Sequence, residues 1–285
     1  MADLIPSLGG FRNDGTVSIH RLRALTKDEH RHYKEFLAIT VKARNRFRMF
    51  KLLELNYRAW NSLIKALLRP ETLHDDEMLE LDRMLLNFLT TARALLDHFT
   101  QYYVQTYRGT SEENKFGDHL ELLGTKNWAF GFFQDFRNFV QHCGLGVCNY
   151  SKHVGHRSVE LKIEADADWL LHHYNGWACC KLQHSHGKLD LITLTQDYYH
   201  MLMHSVGPFL ARAFFPKLVE AHNFFAIIGK EVNDAAPGHK AVLITDAKLL
   251  TPDGKKINLQ MTELQTDVFA HIGIKVEREP DAPVS

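Results

Sequence analysis

The chain has 285 residues, 45% of them hydrophobic and 24% charged, which gives it ample length for a large core and excludes a disordered, collagen-like or disulfide-scaffold protein. Lys+Arg 34 equals Asp+Glu 34, so the formal net charge is +0, which argues against a protein that coats nucleic acid by bulk charge and leaves only local basic patches. The 18 His are the compositional oddity, because imidazoles titrate near neutrality. No apolar run reaches the roughly 18 residues of a membrane span. The opening Met-Ala-Asp-Leu-Ile-Pro-Ser-Leu-Gly-Gly lacks the basic and apolar regions of a signal peptide. Cys143, Cys148, Cys179 and Cys180 make no C-x-x-C pair, so the chain reads as a reduced, cytoplasmic protein with no membrane segment.

Residues 1–25, with Gly9, Gly10 and Gly15, read as a loosely structured lead-in. Thr26-Lys27-Asp28-Glu29 has the form of a capping box, and the run from there to Leu68 holds no Gly or Pro until Pro70 stops it. So long a run predicts two helices or one bent helix. The acids from Thr72 to Glu77 suit a second helix start. Leu81, Leu85, Phe88, Leu89, Ala92, Leu95, Leu96, Phe99 and Tyr103 then recur at helical spacing, which predicts a helix to about Tyr107. A loop with a short helix runs through Gly124. The ring-rich segment Asn127 to His142 is helical again and ends at Cys143-Gly144.

After Gly144 the pattern alternates, predicting a β-hairpin over about 146–163. Residues 166–187 are His-rich and ambiguous. Thr195 to Ile228 is helical, with kinks expected at Pro208 and Pro216. A small β region is expected over 238–276, with strands at Ala241 to Leu250 and Lys256 to Gln260 joined at Thr251-Pro252-Asp253-Gly254. Residues 277–285 read as a disordered tail.

The segment able to carry chemistry is 132–143. At about 100° per residue, Phe132, Phe136, Phe139 and Cys143 form an apolar stripe flanked by Phe133 and Val140. Gln134, Arg137, Asn138 and Gln141 take the other side, with His142 at its edge. Arg offers a permanently charged, forked donor suited to phosphate. His exchanges a proton near neutral pH, and Asn can orient a ribose hydroxyl. Such a trio could cleave RNA without a metal, His activating the 2′-OH or protonating the leaving oxygen and Arg stabilising charge at phosphorus. One helix supplies one acid–base His where two are wanted. Two copies facing across a homodimer axis would supply both. From spacing alone, an Arg and a His on the solvent side of an amphipathic helix are usually just a solvated face.

Arg137-Asn138-Phe139-Val140-Gln141-His142 resembles the R-x4-6-H signature of HEPN domains, which commonly carry Asn after the Arg. The resemblance extends over about 75–230, since a long helix precedes the motif helix and a Gly-containing loop follows it. It implies a mainly α protein, a HEPN-like helical bundle over 26–230, here with a small β-hairpin insertion and a C-terminal β appendage. It also implies a homodimer and a metal-independent endoribonuclease, of the kind found in toxin–antitoxin and anti-phage systems, with an antitoxin or other defence component as a partner. In that reading Arg137 and His142 are catalytic and Asn138 supports them. Gln134 and Gln141 on the same face, and Asp97 or His98 on the preceding helix, contact RNA or nucleotide. Neither a metal nor another cofactor is implied. Other HEPN domains are non-catalytic nucleotide-binding, RNA-binding or assembly modules, and that alternative stays open here.

Other constellations are weaker. His200 and His204 share a helix face and form half of a metal site, with His172-His173 and His184-Ser185-His186 near in sequence, but no carboxylate partner has fixed spacing. The cysteines lack zinc spacing and fit buried thiols. There is no Walker A and no G-x-G-x-x-G motif. Lys42, Arg44, Arg46, Arg48, Lys51 and Arg58 make a basic stretch in the first helix that fits either an RNA-facing surface or a solvated flank.

Overall fold

The computed structural model describes residues 5–15, 17–143, 148–156, 158–247, 259–264 and 268. The chain is mainly helical, with two small antiparallel sheets. It divides into two compact units, one of residues 49–211 and the other of residues 1–48 with 212–285.

The unit of residues 49–211 is built on the second half of α1 (Lys27–Leu67), on α2 (Asp75–Thr106), α3 (Lys115–Lys126) and α4 (Trp128–Cys143), and on elements described below. The run from Lys27 is one unbroken helix rather than two. In α2 the buried residues are the nine expected from spacing, from Leu81 to Tyr103, because a 3.6-residue period puts them on one side. The acids Asp75, Asp76 and Glu77 sit at the N-terminus, where the helix dipole favours them, and Glu77 accepts the His74 amide at 3.0 Å. Phe50 and Tyr57 of α1 meet Phe99 and Phe88 of α2 at 5.9 and 6.0 Å, and Asn56 donates to Thr91 Oγ1 at 2.7 Å.

The expected hairpin is β3 (Cys148–Val154) paired with β4 (Val159–Asp166), in register from Cys148↔Ala165 to Val154↔Val159. The Tyr150 hydroxyl donates to Asp82 and fastens the hairpin to α2. The ambiguous His-rich stretch resolves into α5 (Ala167–His173), a single 3-10 turn at His184–His186 and β5 (Lys188–Asp190), which adds to β4. Asp190 then caps α6 (Leu191–Met201), accepting from the Ile192 amide at 2.9 Å. Where a kink was expected at Pro208, the helix instead widens into one π turn, Leu202–Val206, and continues as α7 (Gly207–Ala235). A wide turn is a common way to accommodate a residue that has no amide hydrogen and crowds the preceding turn. Pro216 lies inside α7.

The other unit corrects the sequence reading. Residues 1–25 are not a loose lead-in. They contain β1 (Ser7–Asn13) and β2 (Val17–Ala24), and Ser7 to Gly10 are buried. The expected C-terminal β region is likewise no separate appendage. Its strands, β6 (Lys240–Ala247) and β7 (Leu259–Glu263), join the N-terminal pair in one sheet ordered β2-β1-β6-β7. The turn expected at Thr251–Gly254 and the tail at 277–285 lie outside the described residues. Gly9 and Gly10 mark close approach, not looseness. A Cβ on Gly9 would meet the His20 carbonyl oxygen at 2.7 Å, and one on Gly10 would meet the His239 Cβ at 2.8 Å. The capping box at Thr26 forms as expected, Thr26 N donating to Glu29 at 2.7 Å and Glu29 N to Thr26 Oγ1 at 3.1 Å. Glu29 also joins Glu231 of α7 in clasping the Arg23 guanidinium, at 2.6 to 2.8 Å.

Candidate functional site

The site is organised by α4. Its rings Trp128, Phe132, Phe136 and Phe139 stack along one side with centroids 5.2, 5.1 and 6.0 Å apart, and Trp177 lies parallel to Phe132 at 5.9 Å. Phe132, Phe133, Phe136 and Phe139 are all essentially inaccessible to water. Burying each such ring contributes roughly 1.5–3 kcal/mol, so the orientation of α4 about its axis is strongly fixed. That fixes the polar residues between the rings. Gly131 allows the chain at Cys179 to press on the helix, since a Cβ there would sit 3.1 Å from the Cys179 carbonyl.

Arg137 and Asn138 are half-buried and adjacent, the guanidinium donating at 3.4 Å to Asn138 Oδ1. Among the described residues Arg137 forms no ion pair. His142, one turn after Asn138, is exposed, its ring parallel to Tyr174 at 6.4 Å. Gln141 is exposed on the same side. Arg137, Asn138, Gln141 and His142 are thus carried on one helix, the first two half-buried and the last two exposed. Two of the other expected contacts are already occupied. Gln134 donates to the Tyr198 hydroxyl at 3.0 Å and accepts from Arg93 at 3.3 Å. Asp97 is paired with Arg93 at 2.9 Å. These two residues position the α2–α4–α6 seam through Arg93 and have less capacity left for a ligand.

Asp135 went unread in the sequence. It sits on the ring side of α4, 3% exposed, and its carboxylate accepts the amides of Cys179 at 2.8 Å and Cys180 at 3.0 Å. An acid flanked by phenylalanines at positions 132, 133, 136 and 139 was the available signal, because a buried carboxylate must find donors. Partial desolvation of its sulfur, reinforced by the charge of Asp135, pushes the thiol of Cys179 up to about 11, although that residue is exposed and not buried as expected, and burial with the same charge pushes the Cys180 thiol up to about 12. Both therefore stay protonated at neutral pH and are poor nucleophiles. Cys143, expected within the apolar stripe, is instead exposed and reaches the His173 carbonyl at 3.6 Å.

The histidines do not converge. The rings of His200 and His204 lie 4.2 Å apart, His184 pairs with Asp168 at 2.6 Å, and His186 stacks on Trp128 at 4.9 Å. Among the described residues no three His, Cys, Asp or Glu side chains are grouped to hold a metal ion. In the basic stretch of α1, Lys51 pairs with Glu54 at 2.9 Å and Arg58 reaches the same carboxylate. No described helix is long and apolar enough to cross a membrane. No protein-family model, curated protein or solved structure matches the chain.

Proposed function

We propose that this chain is a metal-independent endoribonuclease of HEPN type, working as a homodimer, with Arg137 and His142 as catalytic residues and Asn138 in support. The observation that carries the reading is the state of Arg137. It is held half-buried on a helix fixed by four rings, no carboxylate answers its charge among the described residues, and an exposed imidazole follows five residues later. A positioned guanidinium without a counter-ion offers forked N–H donors to the oxygens of a phosphate. In the reaction, neutral His142 takes the proton of the ribose 2′-OH and the 2′-oxygen bonds to phosphorus. The bond from phosphorus to the 5′-oxygen breaks, and that oxygen takes a proton from the protonated imidazole of a second copy. The products are a 2′,3′-cyclic phosphate and a 5′-hydroxyl. Arg137 stabilises the charge that grows on the non-bridging oxygens. A defence or toxin–antitoxin role is part of the same proposal.

The test is incubation of purified protein with labelled RNA in EDTA, reading product ends. Cleavage to 2′,3′-cyclic ends that persists in EDTA and disappears in Arg137→Ala and His142→Ala supports the proposal. RNA or nucleotide binding with no cleavage supports a non-catalytic HEPN-like module. Cleavage retained in His142→Ala rejects the assignment.

A further inference from the structure

The ring column of α4 does not end inside the protein. Phe139 meets Trp169 of α5 edge-on at 5.8 Å and Tyr174 edge-on at 5.9 Å. Trp169 lies parallel to His173 at 3.8 Å, and Tyr174 parallel to His142. One shared ring, Phe139, therefore joins the indole to the tyrosine on which the motif imidazole lies. The arrangement is held in place. Gly176 packs against the Tyr174 ring so closely that a Cβ would collide with it, and the His173 imidazole is tied to the Trp169 carbonyl at 2.8 Å. Yet Trp169, stacked with His173 and in a T-shaped contact with Phe139, remains 37% exposed. The two acids beside it in sequence are both engaged, Asp166 by the Trp169 amide at 3.0 Å and Asp168 by His184.

Resting on the ribonuclease reading above, we infer that Trp169, Tyr174 and the imidazoles of His142 and His173 form a base-stacking platform, and that the substrate is therefore single-stranded RNA. Stacking on an aromatic face is available to any unpaired base and to no base inside a duplex. The imidazole meant to act on the ribose stands at the rim of that platform, stacked on Tyr174, so one nucleotide can use both. The Arg137 guanidinium, on the same helix as His142, supplies the positive charge that the strand's phosphates require.

The probe is a fluorescently labelled 2′-O-methyl RNA 12-mer, which has no free 2′-OH and so cannot be cut by the proposed reaction. The wild type should bind it at least ten-fold more tightly than its duplex and should lose indole fluorescence on binding. Trp169→Ala should weaken binding at least five-fold, the range for loss of one stacked base. Trp169→Phe should restore most of the affinity while removing much of the quench. Far-UV circular dichroism and a melting curve establish that both variants fold. Should Trp169→Ala not fold, Trp169→Phe and His173→Ala carry the test. Equal binding to single strand and duplex, no binding, or a quench and affinity unchanged in Trp169→Phe and His173→Ala would overturn the platform. Cleavage is read separately on ordinary RNA. Trp169-dependent binding without cleavage leaves the platform and removes the catalytic reading. Cleavage that is indifferent to Trp169 does the reverse.

Discussion

Two arginines in this molecule meet opposite fates. Arg23, in the unit of the chain's two ends, lies between Glu29 and Glu231, each carboxylate taking two of its nitrogens. Hydrogen bonds to both acids raise its pKa above the ordinary range, and the guanidinium in turn holds Glu29 down at about 2. Arg137, on α4, has an amide oxygen at 3.4 Å and, among the described residues, no acid. The first charge is consumed in joining β2, α1 and α7. The second is carried by a rigid helix and left unanswered. A charge neutralised twice over is structural. A guanidinium with no acid beside it among the described residues is what the proposed phosphate-binding role requires.

The comparison breaks most visibly at α4. Arg137→Ala should lower the rate of RNA cleavage by 100-fold or more, the usual scale for losing a group that stabilises transition-state charge, with little change in melting temperature. Arg23→Ala should leave the rate nearly intact. If the two variants lose activity equally, the contrast has no functional meaning. The next largest effect is on the frame beneath Arg137. Asp135→Ala strands two amides and should destabilise the protein by about 3 kcal/mol in a urea titration, whereas Asp135→Asn, which keeps one acceptor oxygen, should cost about half as much. Arg23→Met should cost only about 1 kcal/mol, because Arg23 and Glu231 are each 36% exposed and solvent screens the clasp. The smallest effect is in pH. Glu29 is more acidic folded than unfolded, so its contribution is complete above about pH 4.5 and drains away as pH falls towards about 2. Glu29→Gln should flatten the stability profile over that window, lowering stability by the whole of that contribution near pH 7 and by progressively less as pH falls towards about 2.

What the sequence made legible was local. The buried side of α2, the capping box at Thr26 and the limits of α4 all follow from spacing within a few residues. The helix that carries Arg137, Asn138 and His142 was legible for the same reason. What stayed hidden depends on distant partners. Gly9 and Gly10 look like loop residues until Ile244 and His239 are known to lie against them. Asp135 has no evident use without the amides of Cys179 and Cys180. Gln134 and Asp97 looked available because nothing near them in sequence shows that Arg93 holds both. The ring contacts of Trp169 and Tyr174 required the fold of a stretch whose periodicity was silent.

The pairing of β1 with β6, Ser7 opposite Ile244, sets a schedule for synthesis. At roughly 5–20 residues per second, a ribosome needs on the order of ten to fifty seconds between making the two strands. Throughout that interval the nascent hairpin β1–β2 carries an unmatched edge able to recruit the wrong neighbour. Shielding of that edge, by the chain's own helices or by a chaperone, would bridge the interval until β6 leaves the exit tunnel.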